Sequence, residues 1–168
     1  VDSLVYILYA DPAGLTLATE TEYKNRTAVG DLFYDEAKQL AECMLVRLGY
    51  SEEEASEMFE NSIAYEALLA EVFPSDRHER GRQTGAEDCY TLEEFTEMAE
   101  GFPVDRMLEA SGLYGGDTIC VTLPEYFAAL KDIYTEENVS LIKDWLAVRT
   151  ATELPDLLDK ETSKAVAK

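Results

Sequence analysis

Apolar residues recur three and four positions apart between Ser51 and Phe73, the period of one buried face of an α-helix. Ser51 and Glu54 open the stretch with the spacing of a capping box, in which side chains satisfy the free amides of the first helical turn. The predicted buried face consists of Ala55, Met58, Phe59, Ser62, Ile63, Leu69, Ala70 and Phe73. The pattern predicts a long helix around which the rest of the chain is organised.

One acidic residue, Glu66, lies on this apolar face between Ile63 and Leu69. Burying a carboxylate is unfavourable unless hydrogen bonds or a positive charge replace the lost water. We therefore interpret Glu66 as a candidate structural buried acid, bonded by an arginine, a tyrosine hydroxyl or free helix amides. A catalytic carboxylate is the weaker alternative, and it stays open at this point.

The same spacing predicts a preceding helix over 31–48, joined to the Ser51–Phe73 helix only through Gly49-Tyr50. So short a link favours an antiparallel helical hairpin. The predicted buried face of the preceding helix is Phe33, Ala37, Leu40, Ala41, Met44, Leu45 and Leu48. Capping residues and prolines predict shorter helices beginning near Thr91, Pro103, Pro124, Thr135 and Pro155.

Two β-rich runs, Val5–Tyr9 and Thr118–Leu123, predict short strands. Either strand alone would leave its backbone groups unpaired, so we expect the two to form a small two-stranded antiparallel sheet. Together with about seven helices, this predicts a mainly α fold. The length of 168 residues fits a single multi-helix domain over residues 1–168.

The net charge of −21 comes from 35 acidic and 14 basic residues. Such a chain is repelled by nucleic-acid phosphates and by anionic membranes, so neither is expected as a partner. The three cysteines, Cys43, Cys89 and Cys120, are odd in number and widely spaced. This spacing favours unpaired thiols in a reducing compartment over a disulfide framework.

The sequence offers little catalytic or metal-binding chemistry. His78 is the only histidine, and it lies in a polar, arginine-rich stretch, whereas a zinc site needs several ligands at close spacing. The metallopeptidase, serine-hydrolase and nucleotide-binding motifs H-E-x-x-H, G-x-S-x-G and Walker A are all missing from the sequence. We therefore assign no catalytic residue, no metal ligand and no cofactor to this chain. A Cys89–His78 dyad is a weak alternative.

Four short stretches resemble the neprilysin and endothelin-converting-enzyme family of zinc metallopeptidases, in the non-catalytic N-terminal half. They are Asp11–Leu17 (DPAGLTL), Glu66–Ala70 (EALLA), Thr91–Phe95 (TLEEF) and Val121–Leu130 (VTLPEYFAAL), followed by a helix bearing Trp145. The chain departs from the family pattern after Leu17, where Ala18 replaces a proline and a single Tyr23 replaces paired tyrosines. The family's zinc ligands and catalytic glutamate lie in later motifs, so none is carried over to a position here.

The resemblance implies that the chain is a fragment of a larger metallopeptidase, inactive alone. In the family, such a helical lobe faces the catalytic lobe of the same polypeptide and encloses a chamber that restricts peptide substrates by size. Zinc is then expected in the full-length parent only. Bacterial members suggest a cytoplasmic location, in agreement with unpaired cysteines; an extracytoplasmic one is the alternative. The competing hypothesis is a free-standing acidic helical protein-binding module, and an H-E-x-x-H motif encoded beyond Lys168 would decide against it.

Overall fold

The structure, a computed structural model, describes residues 8–17, 19–73, 89–113 and 117–153. Within these residues the fold is mainly helical, as predicted. The α-helices are α1 (Ala28–Arg47), α2 (Glu52–Glu71), α3 (Leu92–Met98), α4 (Val104–Ala110), α5 (Pro124–Ile133) and α6 (Val139–Glu153). The strands are β1 (Leu8–Ala10), β2 (Cys89–Thr91) and β3 (Thr118–Val121), and two 3-10 helices span Glu20–Tyr23 and Glu136–Asn138. The helix predicted near Pro155 and the stretch that contains His78 lie outside the described residues.

The chain divides into two compact units. One comprises Val1–Gly14 and Val72–Thr135, and the other comprises Leu15–Glu71 and Glu136–Lys168. The first contains the sheet with α3, α4 and α5, and the second is built from α1, α2 and α6. A single domain over residues 1–168 stays a prediction.

In the helical unit, α1 and α2 form the predicted hairpin. Gly49 makes the connection with a φ of 102°, a left-handed conformation that glycine adopts without steric cost. The ring of Tyr34, early in α1, packs edge-on against Phe59 with 5.3 Å between centroids. The core shared with α6 consists of Ala41, Met44, Leu45, Ala55, Phe59, Ile63, Val148 and Ala151.

The prediction of burial is wrong for two residues of α1 and its C-terminal end. Phe33 is 46% exposed and Leu48 is 48% exposed, whereas Tyr34 is partly buried against the core. The buried face of α1 is narrower than the sequence pattern indicates, and Phe33 lies at its edge. Leu48 caps the end of the helix, where the chain turns away from the core towards Gly49.

Within the part of the chain that the structure describes, the sheet has three strands in the order β1-β3-β2. Strand β1 pairs with β3 as predicted, but the pairing is parallel, and β2 adds antiparallel to the other edge of β3. The predicted two-stranded antiparallel sheet is therefore wrong in sense and in number. The described part of the connection from β1 to β3 carries four α-helices, which is ample for the crossover that a parallel pair needs. With only three residues, β2 gives too short a pattern to be recognised.

The pairing of β2 with β3 brings two cysteines together. Cys89 and Cys120 are direct partners across the antiparallel strands and form a disulfide, while Cys43 is free and exposed. The prediction of three unpaired thiols is therefore wrong for Cys89 and Cys120. Their separation of 31 residues concealed a neighbour relation that only the strand register creates.

Helix α5 supplies much of the core of the sheet unit. Pro124 occupies its first turn, where a missing backbone N–H costs nothing, and Tyr126, Phe127, Leu130 and Ile133 are buried. The rings of Phe127 and Phe95 meet edge-on at 5.2 Å.

Across the described ranges, no helix combines the length and apolar character needed to span a bilayer.

Candidate functional site

Glu66 lies in the middle of α2 and is completely buried, with 0% of its surface exposed. The helix that carries it begins with the predicted capping box. The Glu54 N–H donates to Ser51 Oγ at 3.2 Å, and the Ser51 N–H donates to Glu54 Oε2 at 2.8 Å. A well-defined start fixes which residues of α2 face inward, and Glu66 is among them.

Four donors converge on the Glu66 carboxylate. Oε2 accepts from the Thr16 backbone N–H at 2.8 Å and from the Tyr23 hydroxyl at 2.5 Å. Oε1 accepts from the Thr16 hydroxyl at 2.9 Å and from the Trp145 indole N–H at 3.1 Å. Each oxygen therefore accepts two hydrogen bonds. We call Glu66, Thr16, Tyr23 and Trp145 the Glu66 cluster.

Three separate segments hold these donors in place. Tyr23 ends the 3-10 helix Glu20–Tyr23, and its hydroxyl accepts from the Leu17 N–H at 3.0 Å while it donates to Glu66. Trp145 lies on α6, where its ring packs 5.4 Å from the ring of Tyr65, a neighbour of Glu66 on α2. The cluster thus ties α6 and the segment before α1 to α2.

The start of α1 holds the 3-10 helix from the other side. The Glu22 carboxylate accepts from the Thr27 N–H at 2.7 Å and from the Thr27 hydroxyl at 2.8 Å. Thr27 is also the N-cap of α1 and accepts from the Gly30 N–H. A Cβ atom at Gly30 would lie 2.0 Å from Glu22 Oε2, so glycine leaves the room that Glu22 occupies. Tyr23 is positioned by this neighbouring contact.

The carboxylate is compensated by neutral donors. Among the described residues, none of the ion pairs includes Glu66. Burial, and then the adjacent Glu66 carboxylate, raise the pKa of Tyr23 well above its usual value of 10.0. The Tyr23 hydroxyl therefore keeps its proton and remains a donor throughout the neutral range.

This arrangement has little capacity for catalysis. A general base must lie within hydrogen-bond reach of the proton that it abstracts, whereas the Glu66 oxygens are enclosed and each already accepts two bonds. The geometry favours a structural role for Glu66, which stays a prediction until the substitutions described below are made. Across the described ranges, no group of three or more His, Cys, Asp or Glu residues is placed to hold a metal ion.

Sequence reasoning anticipated a tyrosine hydroxyl as one donor but missed the Thr16 and Trp145 groups. The arginine and the helix amides considered as partners are not used in the described structure. Both missed residues lie in stretches that resemble the peptidase family, which is the signal that could have found them. His78, the histidine of the weak dyad, lies outside the described residues, and Cys89 is held in the disulfide.

Several solved structures share this fold. PepO from Lactobacillus rhamnosis is similar with a TM-score of 0.75 and 18% identity, over 94% of this chain and 25% of that one. The zinc metalloprotease Zmp1 from Mycobacterium tuberculosis has been solved in complex with an inhibitor. That structure is similar with a TM-score of 0.69 and 16% identity, over 96% of this chain and 24% of that one. The structure of Zmp1 in an open state is similar with a TM-score of 0.67 and 18% identity, over 97% of this chain and 25% of that one. The chain spans about a quarter of the length of these proteins.

The sequence itself shows the family. The N-terminal model of peptidase family M13 matches residues 1–168, and the chain therefore belongs to this family. The resemblance to the neprilysin-like N-terminal region is confirmed. Among curated proteins, none matches the sequence significantly.

Proposed function

We propose that this chain is the non-catalytic helical lobe of a neprilysin-like zinc metalloendopeptidase, where it helps to enclose the active-site chamber and restricts peptide access. The observation that carries the proposal is the family match along all 168 residues, in a chain that spans a quarter of PepO and Zmp1. The catalytic lobe of the same polypeptide is then its partner. That lobe supplies the zinc site and acts on peptides.

A wall that selects by size must keep its shape, and the Glu66 cluster provides the means. Hydrogen bonds to a charged group contribute more than neutral ones, typically about 1.5–3 kcal/mol each. Here four of them join segments 50, 43 and 79 residues apart in the sequence. Zmp1, which has a similar fold, has been solved in an open state, and this supports a chamber to which access can change.

The test compares peptides of different length as substrates of the parent enzyme. Glu66→Ala weakens the cluster, so cleavage of a long unfolded polypeptide should rise relative to cleavage of a short peptide, with zinc content unchanged. Glu66→Gln should give a smaller change in the same direction. Glu57→Ala, on an exposed position of α2, is the matched control. An unchanged ratio of long to short substrate in both Glu66 variants would contradict the proposed role.

Zinc content provides a second measurement on the same samples. We expect stoichiometric zinc in the parent enzyme and none in the isolated 168-residue chain after dialysis. The sequence has one histidine and three cysteines, two of which are paired in a disulfide. Stoichiometric zinc in the isolated chain would show that this lobe has a metal site of its own.

The cytoplasmic location predicted from the sequence is not tested by the structure, but unpaired cysteines no longer support it because Cys89 and Cys120 are paired. A disulfide between Cys89 and Cys120 favours an oxidising compartment, where such bonds persist. We therefore propose the extracytoplasmic alternative for the parent enzyme. Recovery of the parent from the cytosolic fraction with Cys89 and Cys120 both reduced would contradict it.

A further inference from the structure

Helix α1 exposes apolar side chains outside its buried face. Val29 is 59% exposed, Leu32 63% and Val46 41%, and Phe33 and Cys43 are exposed as well. We call these five residues the outer face of α1. Val29, Leu32, Cys43 and Val46 lie along one line of the helix with alternating three- and four-residue spacing, the spacing of a helix-packing seam, and the two positions in its middle are the polar Glu36 and Gln39. Apolar residues fill both ends of this seam.

An open groove adjoins the C-terminal half of the outer face. It has a volume of about 680 Å³ and lies between α1 and the first turns of α2. Cys43 and Val46 give it an apolar lining. A groove of this size between two helices accommodates the anchoring side chains of an amphipathic helix.

The charges around the outer face select the occupant. Among the described residues, Glu42, Glu52 and Glu53 line the groove together with Arg47. Further exposed carboxylates on α1 are Asp31, Asp35 and Glu36. Lys38 Nζ lies 2.6 Å from Glu60 and 3.9 Å from Glu42, and Arg26 lies 3.9 Å from Asp31. These cations neutralise only part of the charge of the six carboxylates around the outer face. A second copy of this chain would bring the same carboxylates, and juxtaposed like charges disfavour association.

We propose that the outer face of α1 binds a basic amphipathic helix of the parent polypeptide, from a segment beyond these 168 residues. This inference rests on the proposed function, in which a catalytic lobe belongs to the same chain. The solved relatives are about four times as long as this chain. A tethered segment binds at high effective concentration, so a modest apolar seam is enough. Leu32 and Val46 are the apolar contacts at its two ends, and the carboxylates pair with lysines or arginines beside the seam.

Cys43 allows the covered face to be measured directly. All three cysteines are described, and Cys89 and Cys120 form the disulfide, so without reductant Cys43 is the reactive thiol of the isolated chain. Iodoacetamide should alkylate Cys43 readily in the isolated chain. In the parent enzyme, peptide-level mass spectrometry should show alkylation at least about tenfold slower, since tenfold protection needs only about 1.4 kcal/mol of docking free energy.

Two variants of the parent test the apolar and charged parts of the contact. Leu32→Asp should restore fast alkylation of Cys43, whereas Leu146→Asp, at an exposed leucine on α6, should not. Glu53→Lys should likewise raise the rate, and Glu57→Lys, one turn further along α2 and outside the groove lining, should not. Thermal melts of the isolated variant chains establish that each still folds.

Three results would overturn the docking proposal. Alkylation equally fast in the parent and in the isolated chain would mean that the face is open. Protection unchanged by Glu53→Lys would mean that the occupant is not basic. Protection already present in the isolated chain and increasing with its concentration would identify a second copy as the occupant. If the parent enzyme selects peptides by size while Cys43 reacts freely, only the docking proposal is refuted. If Cys43 is protected but the parent enzyme does not select by size, only the proposed chamber role is refuted.

Discussion

Replacing Glu66 by glutamine should leave one donor without an acceptor, whichever way the amide is oriented. If the amide nitrogen takes the place of Oε2, it faces the Thr16 backbone N–H, which can only donate. If it takes the place of Oε1, it faces the Trp145 indole N–H, which is also only a donor. The hydroxyls of Thr16 and Tyr23 can rotate to accept instead. A hydroxyl that turns to accept no longer donates to residue 66, so Glu66→Gln strands at least one buried donor, an N–H.

The magnitudes follow from the number of stranded donors. One buried donor without a partner costs about 1–3 kcal/mol, which is our expectation for Glu66→Gln. Glu66→Ala removes both oxygens, strands all four donors and leaves a cavity that water can partly fill. We expect about 3–5 kcal/mol for Glu66→Ala, because four neutral donors are stranded at about 1–3 kcal/mol each and entering water restores part of that cost. Alanine should therefore be clearly worse than glutamine.

Urea unfolding of the isolated chain measures both costs. Trp145 is the only tryptophan, so its fluorescence reports from inside the cluster, and circular dichroism gives an independent signal. The Trp145→Phe background removes the indole N–H, so glutamine can then place its amide nitrogen towards the Thr16 hydroxyl without facing an N–H donor. The cost of Glu66→Gln should accordingly fall in that background. Glu57→Gln, exposed on α2, is the matched control and should change stability little.

Equal costs for glutamine and alanine would refute this reasoning, as would a glutamine cost that the Trp145→Phe background leaves unchanged. In the parent enzyme, both substitutions should lower the melting temperature before they alter the turnover of a short peptide per folded molecule. An unchanged melting temperature with abolished cleavage in Glu66→Gln would assign Glu66 to the chemistry of the chamber.

Two further predictions concern the partners of the cluster and its surroundings. Burial, and then bonding to Glu60, raise the pKa of Tyr34 to about 12, and the pKa of Tyr23 is raised as well. A tyrosine with a raised pKa stabilises the fold fully at pH values below the unfolded pKa of 10.0, and this contribution is lost as the pH rises through the folded pKa. Stability should therefore fall above pH 10, and it should fall less steeply in Tyr23→Phe. Equal slopes of stability against pH for the two proteins, measured by urea unfolding at alkaline pH, would contradict this. A truncated chain beginning at Asp31 lacks Thr16, Tyr23 and β1, so Glu66 keeps one of its four hydrogen bonds. Its melting temperature should be lower by several degrees or more. An unchanged melting temperature in calorimetry would contradict a stabilising role of the Glu66 cluster.

Local signals predicted the helices well. The capping boxes at Ser51 and Thr91 depend on residues only three apart, and the structure forms both. The apolar period placed α2 and its one buried acid correctly, because a carboxylate on an apolar face is conspicuous in sequence. The period was less reliable where a helix is only partly covered. Phe33, predicted on the buried face of α1, has a side chain that stays exposed.

The long-range features could not be predicted in the same way. The donors of Glu66 lie 43 to 79 residues away in the sequence, and no period connects them to it. The direction of β1 relative to β3 depends on the path of the intervening helices rather than on either strand. The disulfide depends in turn on the register of β2, a strand of three residues. Each of these features is decided by tertiary packing.

The sequence separations within the Glu66 cluster also bear on how this chain folds. Closing longer loops costs more entropy, and the Trp145 contact, at a separation of 79 residues, closes the longest loop in the cluster. Until Thr16, Tyr23 and Trp145 have all arrived, Glu66 has no full set of donors and gains little by leaving water. The α1–α2 hairpin needs only local contacts and can form early. We therefore expect burial of Trp145 to coincide with the slowest step of refolding, so that its fluorescence in stopped-flow experiments reports completion of the helical unit rather than formation of its helices.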